Sequence, residues 1–305
     1  MKNRLAQTDI PSAAGAACEN EEQSIQVVRR ANLTHDEFVR EYLSPLRPVI
    51  LTDAITHWAA LTKWTPAFFK EYYGTLSLTI DDKSYTMRDF IDLVLKSNCE
   101  HPAPYLHNQA IEGGLSDLLS DVFPLPHCVW PNWFESKLFP SKQSFTFLEI
   151  YIGGQGATFP ILHYDNWHTH AFLMQIYGDK EYTIYSRDQE PYLYPGAGSA
   201  KNKSRVNDIE HPDLEQFPLF AKATPIRCSL HPGETLFVPA GWWHTARMLS
   251  PSITISANTA NATNWAQFTQ DYGATVSRHR SRTYSYALRL YLYAFGWLAP
   301  FLDFL

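Results

Sequence analysis

Apolar residues along this chain recur mainly at every second position. Leu76, Leu78 and Ile80 alternate as a strand does. In "SFTFLEIYIGG", Phe145, Phe147, Glu149 and Tyr151 oppose Thr146, Leu148, Ile150 and Ile152, which predicts a strand buried on both faces and starting near Ser144. "AFLMQIYGDKEYTIYS" reads as an apolar strand, a Gly178-Asp179 turn and a second strand that opens at Lys180, with Lys180, Tyr182 and Ile184 on one face. Leu236-Phe237-Val238 ends at a Pro239-Ala240-Gly241 turn, and beyond it Thr254, Ser256 and Asn258 oppose Ile253, Ile255 and Ala257. Many short strands with no helix between successive pairs predict a mainly β fold, a jelly roll or double-stranded β-helix.

Helical spacing is confined to the two ends. Thr34 with Glu37 forms a capping box for a helix that turns Phe38 and Tyr42 inward. A second helix runs from Thr65 as cap and Pro66 as first residue to Gly74, and a third starts at Thr86 and buries Phe90, Leu93 and Val94. The expected organisation is a disordered leader over 1–25, an N-terminal α/β buttress over 26–143 and a jelly-roll core over 144–262. A polar insertion at 186–227 is expected to act as lid or substrate wall, and C-terminal helices are expected over 263–305. The last stretch is apolar and aromatic, but its uncharged run from Leu290 to Leu302 is short for a membrane span of about 20 residues. It reads as helices packing on the core or on a second subunit.

Composition narrows the class. With 45% hydrophobic and 14% aromatic residues in 305, the chain can bury a sizeable core. A net charge of −6 disfavours nucleic-acid binding through phosphate neutralisation. Cys18, Cys99, Cys128 and Cys228 are widely spaced with no C-x-x-C, which fits free thiols in a reducing cytoplasm, or nucleus in a eukaryote.

Candidate chemistry centres on His163-Tyr164-Asp165. On a strand, residues i and i+2 share a face, so His163 and Asp165 can aim at one point. His244, just past the turn at 239–241, can supply a third ligand. Two histidines and one carboxylate on one face of an octahedral ion leave open positions, as non-haem Fe(II) oxygenases require. A His-x-Asp triplet alone also fits a hydrogen-bonded surface or core pair. Lys180 leads into an apolar, aromatic strand; it either holds an anion in a buried site or snorkels to water from the strand end.

These motifs form an ordered series. His163-x-Asp165, Lys180, "YLYP" at 192–195, "HPDLEQFPLFAKA" at 211–223, "HPGETLFVPAGWWH" at 231–244 and "SITISAN" at 252–258 resemble the JmjC, or cupin-like, family of Fe(II)- and 2-oxoglutarate-dependent oxygenases. The resemblance extends over residues 31 to 263 and is greatest to the protein hydroxylase branch, which includes the asparaginyl hydroxylase of the hypoxia-inducible factor and related arginyl hydroxylases. It implies that His163, Asp165 and His244 bind iron and that Lys180, helped by Tyr105 of "PYLHN", pairs with the distal carboxylate of 2-oxoglutarate. Asn258 matches an asparagine beside the co-substrate. Relatives carry Thr or Ser where this chain has Pro160, so Thr158 or Thr169 is expected to take that role. The segment between His163 and Lys180 is about two residues longer than in close relatives and holds His168 and His170, which either touch substrate, support the iron or are ordered loop residues.

The resemblance implies an enzyme using Fe(II), 2-oxoglutarate and dioxygen to hydroxylate a C–H bond, with a protein or peptide side chain as favoured substrate. The same chemistry on a small molecule, a tRNA base or an N-methyl group stays open. So does a reading of another class, a non-catalytic cupin-fold protein that binds a metal or ligand. A homodimer through the C-terminal helices is expected; a membrane partner is not.

Overall fold

The computed structural model describes residues 26–112, 114–139 and 148–302. Strands β1 (Arg29–Arg30), β2 (Val49–Leu51), β3 (Ser77–Ile80), β4 (Lys83–Thr86), β5 (Leu106–Ala110) and β6 (Leu148–Gly153) precede β7 (His170–Tyr177) and β8 (Lys180–Tyr185). After them come β9 (Ile226–Leu230), β10 (Thr235–Val238), β11 (Trp243–Met248) and β12 (Ser252–Thr259). Seven strands form one sheet in the order β1-β2-β10-β7-β12-β6-β5, three form a second in the order β11-β8-β9, and β3 pairs with β4. The two larger sheets pack face to face as a jelly roll.

The alternating pattern explains both packed faces. On β7, Ala171 and Leu173 point to the inner layer with Ile50, Leu236, Tyr182, Ile184 and Ala246. Phe172, Met174 and Ile176 point outward to the N-terminal layer with Phe38, Trp64, Phe90 and Phe237. Phe237 lies with its ring 5.0 Å from both Phe38 and Phe172 and is fully buried. Truncating Phe237 to alanine leaves a cavity between the sheet and the N-terminal helix, and a loss of about 3–5 kcal/mol is expected in urea denaturation.

The N-terminal helices begin where the caps place them. Thr34 and Glu37 form the reciprocal capping box of α1 (His35–Phe38), which continues as a wider π-helical turn through Leu43. After α2 (Ala60–Lys63), Thr65 caps α3 (Pro66–Tyr72), and Thr86 caps α4 (Met87–Lys96). On α4 the buried stripe is Met87, Phe90, Ile91 and Val94; Leu93, expected inside, is exposed because it lies off that stripe.

The start expected near Ser144 for β6 and the leader at 1–25 lie outside the described residues. The insertion expected at 186–227 is not structureless. Its Leu193, Val206, Phe217 and Phe220 form a small core with Tyr164, Tyr185 and Trp243, so the insertion is packed as a wall of the sandwich, and its last residues already belong to β9. At the C-terminus, α5 (Trp265–Val276) and α6 (Arg282–Leu302) pack through Trp265, Phe268 and Tyr272 against Leu288, Leu292, Phe295 and Ala299. Tyr286, Leu290, Trp297 and Leu298 on α6 are exposed. No helix among the described residues is long and apolar enough to cross a membrane.

Candidate metal and co-substrate site

His163 is not part of a long strand. It forms bridges with His244 and with Lys203, and this short pairing is enough to direct His163 and Asp165 into the sandwich while Tyr164 packs its ring on Trp243. The expected strand geometry thus reduces to two isolated bridges at His163 with the same alternation. His244 arrives on β11 immediately after a turn in which Gly241 adopts a φ of +78°, a conformation costly for a side-chain-bearing residue.

One ligand atom from each of His163, Asp165 and His244 lies within 4.8 Å of the others. Each imidazole has its Nδ1 against a backbone carbonyl, His163 on Ile161 at 3.0 Å and His244 on Trp242 at 3.2 Å. With Nδ1–H donating there, Nε2 is left as a lone-pair donor facing the other ligands. Burial, reinforced by the neighbouring His244, lowers His163 to about 4, and burial likewise lowers His244 to about 4, so both rings are neutral as ligation requires. Burial raises Asp165 against the pull of His163 and the Asn258 amide. A divalent cation would replace the water that Asp165 has lost, and the three-residue donor set fits a first-row metal with open positions.

Lys180 lies deep in the same cavity, which has a volume of about 570 Å³. The residue is 2% exposed, and its ammonium donates to the Tyr105 hydroxyl at 2.8 Å and to Thr254 Oγ1 at 3.3 Å and sits 5.2 to 5.4 Å from the ring centres of Tyr105, Tyr151 and Tyr182. No carboxylate among the described residues forms a salt bridge with it. Burial lowers Lys180 to about 7. A desolvated cation caged by aromatic rings and lacking an anion is costly to maintain without a ligand. A dicarboxylate reaching from the metal would supply the missing charge. Tyr105, raised well above its usual range by burial, keeps its phenolic proton, and since its oxygen accepts from Lys180 that proton is free to donate to the same carboxylate.

The other expected residues divide. Asn258 lines the cavity and donates to Thr169 Oγ1 at 3.0 Å, and Thr169 lines it too. Thr158 does not: it is exposed, bridges Arg247 on the outer edge, and lies away from the cavity lining. Pro160, which took the position ascribed to Thr or Ser, does line it. The polar face of β12 is turned inward, with Thr254 and Ser256 buried rather than solvated. His170, for which contact with substrate, support of the iron and a place on an ordered loop were all open, opens β7 fully buried, where it meets Thr263 Oγ1 at 2.9 Å and accepts from the Ala240 N–H at 3.0 Å. It therefore braces the turn that leads to His244.

Several site residues had no signal in the sequence pattern. Asn202 and Lys203 reach the cavity from the insertion, and Asn202 donates to the Tyr164 carbonyl at 2.8 Å and to Asn166 Oδ1 at 3.0 Å. Trp167 and His168 both adopt left-handed backbone, φ +55° and +52°, directly after the metal-facing Asp165. Helix α5 holds them there. Trp167 Nε1 donates to Thr275, the Asn264 amide donates to the His168 carbonyl, and Asp271 binds His168 Nδ1 at 2.7 Å and Lys201 with its other oxygen. Burial pushes Asp271 up, but the bonds from His168 and Lys201 outweigh it and hold the carboxyl below its usual range. Asp271→Ala is expected to loosen the 165–169 turn and weaken iron binding about 10- to 100-fold, read by competition with a chelator, while the cooperative melt is preserved.

Two packed sheets, a His-Asp-His triad that could hold a metal ion and a buried lysine thus meet at one cavity. Residues 35–265 match the cupin-like domain family, and the chain belongs to it. It is 29% identical over 251 residues to lysine-specific demethylase JMJ21 of Arabidopsis thaliana, covering 78% of this chain and 26% of that protein. It is 27% identical to lysine-specific demethylase 8 of Xenopus tropicalis, over 72% of this chain and 50% of the relative. To tRNA wybutosine-synthesizing protein 5 of Gallus gallus it is 28% identical over 74% of each. The chain thus spans half or less of the two demethylases. The class uses Fe(II) and 2-oxoglutarate, and both fit the donor sets described above.

Proposed function

We propose that this protein is an Fe(II)- and 2-oxoglutarate-dependent dioxygenase that hydroxylates a C–H bond of a protein side chain. The observation that carries the reading is the unpaired, tyrosine-caged Lys180 in the cavity of the His163–Asp165–His244 triad. Bound there, the metal and co-substrate supply the oxidation, in which 2-oxoglutarate and dioxygen yield succinate, carbon dioxide and a hydroxylated carbon. The chain's own work is positional. His163, Asp165 and His244 hold one face of the ion and leave the other accessible; Lys180 and Tyr105 fix the far end of the co-substrate. Phe159, Trp167 and the insertion wall exclude water from the reacting carbon.

Hydroxylation of an N-methyl carbon is the second reading, favoured by similarity to proteins named lysine- and arginine-specific demethylases. The metal site serves either outcome, and release of formaldehyde separates them. The buried thiols of Cys128 and Cys228 support a reducing cytoplasmic or nuclear setting, and the exposed aromatic face of α6 supports pairing of two copies, which light scattering tests. The oxygenase reading itself is tested by anaerobic titration with Fe(II) and 2-oxoglutarate. A weak visible charge-transfer band is expected in the wild type and not in His163→Ala. Its absence from folded, iron-loaded wild type would move the chain to the non-catalytic binding class.

A further inference from the structure

The segment that carries His163 and Asp165 lies outside both large sheets, so its backbone must be held by other means. On one side it runs along β11. The Phe159 N–H donates to the Ala246 carbonyl at 2.8 Å, and His163 and His244 exchange both backbone hydrogen bonds, at 3.1 and 2.6 Å. On the other side its neighbour is the insertion. The Ser204 N–H donates to the Leu162 carbonyl at 2.8 Å, the Tyr164 N–H donates to the Asn202 carbonyl at 3.1 Å, and His163 bridges Lys203. Residues 201–206 alternate between exposed and buried, with Asn202, Ser204 and Val206 inward, so this stretch of the insertion serves as a short partner strand.

Asn202 does more than complete that pairing. Its backbone carbonyl accepts from the Tyr164 N–H, while its side-chain NH₂ donates to the Tyr164 carbonyl at 2.8 Å and to Asn166 Oδ1 at 3.0 Å. The N–H belongs to the peptide joining His163 to Tyr164, and the carbonyl to the peptide joining Tyr164 to Asp165. One residue thus grips both peptide planes that set where His163 and Asp165 point. A backbone carbonyl can only accept, so the orientation of the Asn202 amide is fixed by its partners, and both amide protons are used. Asn202 is 6% exposed and lines the cavity. Behind it, the Ser204 hydroxyl donates to the Leu193 carbonyl at 2.6 Å and accepts from the Val206 N–H at 3.0 Å, and Leu193 and Val206 pack with Leu162, Tyr164 and Trp243.

We propose that Asn202 is a positioning residue for the metal, and that through it the insertion and the metal triad order each other. This rests on the reading of His163, Asp165 and His244 as metal ligands. With a cation in place, His163 and Asp165 are held in one direction and both Tyr164 peptides stay in the grip of Asn202. Without it, the buried Asp165 carboxylate gains by turning toward water, and that turn moves the peptide that Asn202 holds. The coupling is reciprocal: whatever the metal gains from the gripped state, it returns as stabilisation of that state. Asn202 and Lys203 also line the cavity, so the wall that faces substrate is firmest when the metal is held.

The test uses Co(II), whose visible spectrum reports the donor geometry, with the whole chain under anaerobic conditions and no 2-oxoglutarate. In wild type, bound Co(II) is expected to slow amide hydrogen exchange across residues 196–206 by about tenfold or more. Asn202→Ala is expected to bind Co(II) about 10- to 100-fold more weakly, with a changed spectrum and no metal-dependent protection of that segment. Asn202→Asp keeps the shape but turns acceptors toward two carbonyl oxygens, and is expected to do no better. Ser204→Ala cuts hydrogen bonds within the insertion and leaves the grip on Tyr164, so its Co(II) affinity is expected to stay within about threefold of wild type. Wild-type exchange that ignores Co(II) overturns the inference. So does an Asn202→Ala protein with the wild-type affinity and spectrum, or an equal loss in Ser204→Ala. Should neither Asn202 variant fold, the wild-type exchange decides. Folded wild type that binds no Co(II) overturns the metal reading, and this inference with it.

Discussion

Asp165→Ala is expected to abolish iron-dependent turnover. Asp165 contributes the one negative charge of the triad; His163 and His244, each lowered to about 4 by burial, offer only neutral nitrogens. Loss of a hydrogen-bonded partner behind a ligand already costs about 10- to 100-fold in affinity or activity. Loss of the ligand itself removes a bond to the metal as well as the charge that compensates it, so the effect exceeds that range. The measurement is iron content after gel filtration together with succinate formation. Metal-free Asp165→Ala is not expected to melt earlier than wild type, because the change removes a carboxylate whose ionised form is disfavoured by burial. An early melt would show that the carboxylate supports the fold rather than the metal.

Lys180→Met is expected to have effects of opposite sign on stability and function. The wild-type ammonium is buried among Tyr105, Tyr151 and Tyr182 with no anion, so replacing it with an apolar side chain of similar length relieves a desolvation cost. The ligand-free variant should melt at a higher temperature than wild type. Binding of 2-oxoglutarate should weaken by about 2–5 kcal/mol, some thirtyfold or more, because the distal carboxylate is then buried without its cation.

The pH dependence follows from the same group. Lys180 is lowered to about 7, so it is charged in the ligand-free protein below that pH and loses the charge above it. A bound carboxylate favours the charged form. Above about pH 7, binding must therefore take up a proton, and affinity is expected to fall by up to tenfold per pH unit. Calorimetry in two buffers of different ionisation enthalpy would detect that uptake. Pairing with a ligand carboxylate at Lys180 is refuted if wild type shows no proton uptake at pH 8 while Lys180→Met still loses affinity.

How much of this site was legible in the sequence depends on how local each signal is. His163 and Asp165 are two positions apart and His244 follows a turn marked by proline and glycine, so each was visible in its own segment. Lys180 stood out as a charge in an apolar strand, although its strand position fitted equally well with snorkelling. Tyr105 was suggested only by family resemblance, since nothing in "PYLHN" says that its hydroxyl meets an ammonium 75 residues away. Thr158 was misplaced because a hydroxyl near the right position in sequence carries no information about which way its backbone faces; its bridge to Arg247 turns it outward.

The sequence by itself determined the local elements: alternation set the strands and their inner faces, caps set the helix starts, and the run of motifs set the family. Only the tertiary structure decided what surrounds each functional group. It placed Lys180 in an aromatic cage rather than in water, turned the polar face of β12 inward, and brought Asp271 of α5 to the strained turn behind Asp165. Secondary structure follows from interactions a few residues apart and can be read as periodicity. Desolvation, ligand convergence and the support of a strained loop arise between residues about 75 to 100 positions apart in the chain, and no local pattern encodes them.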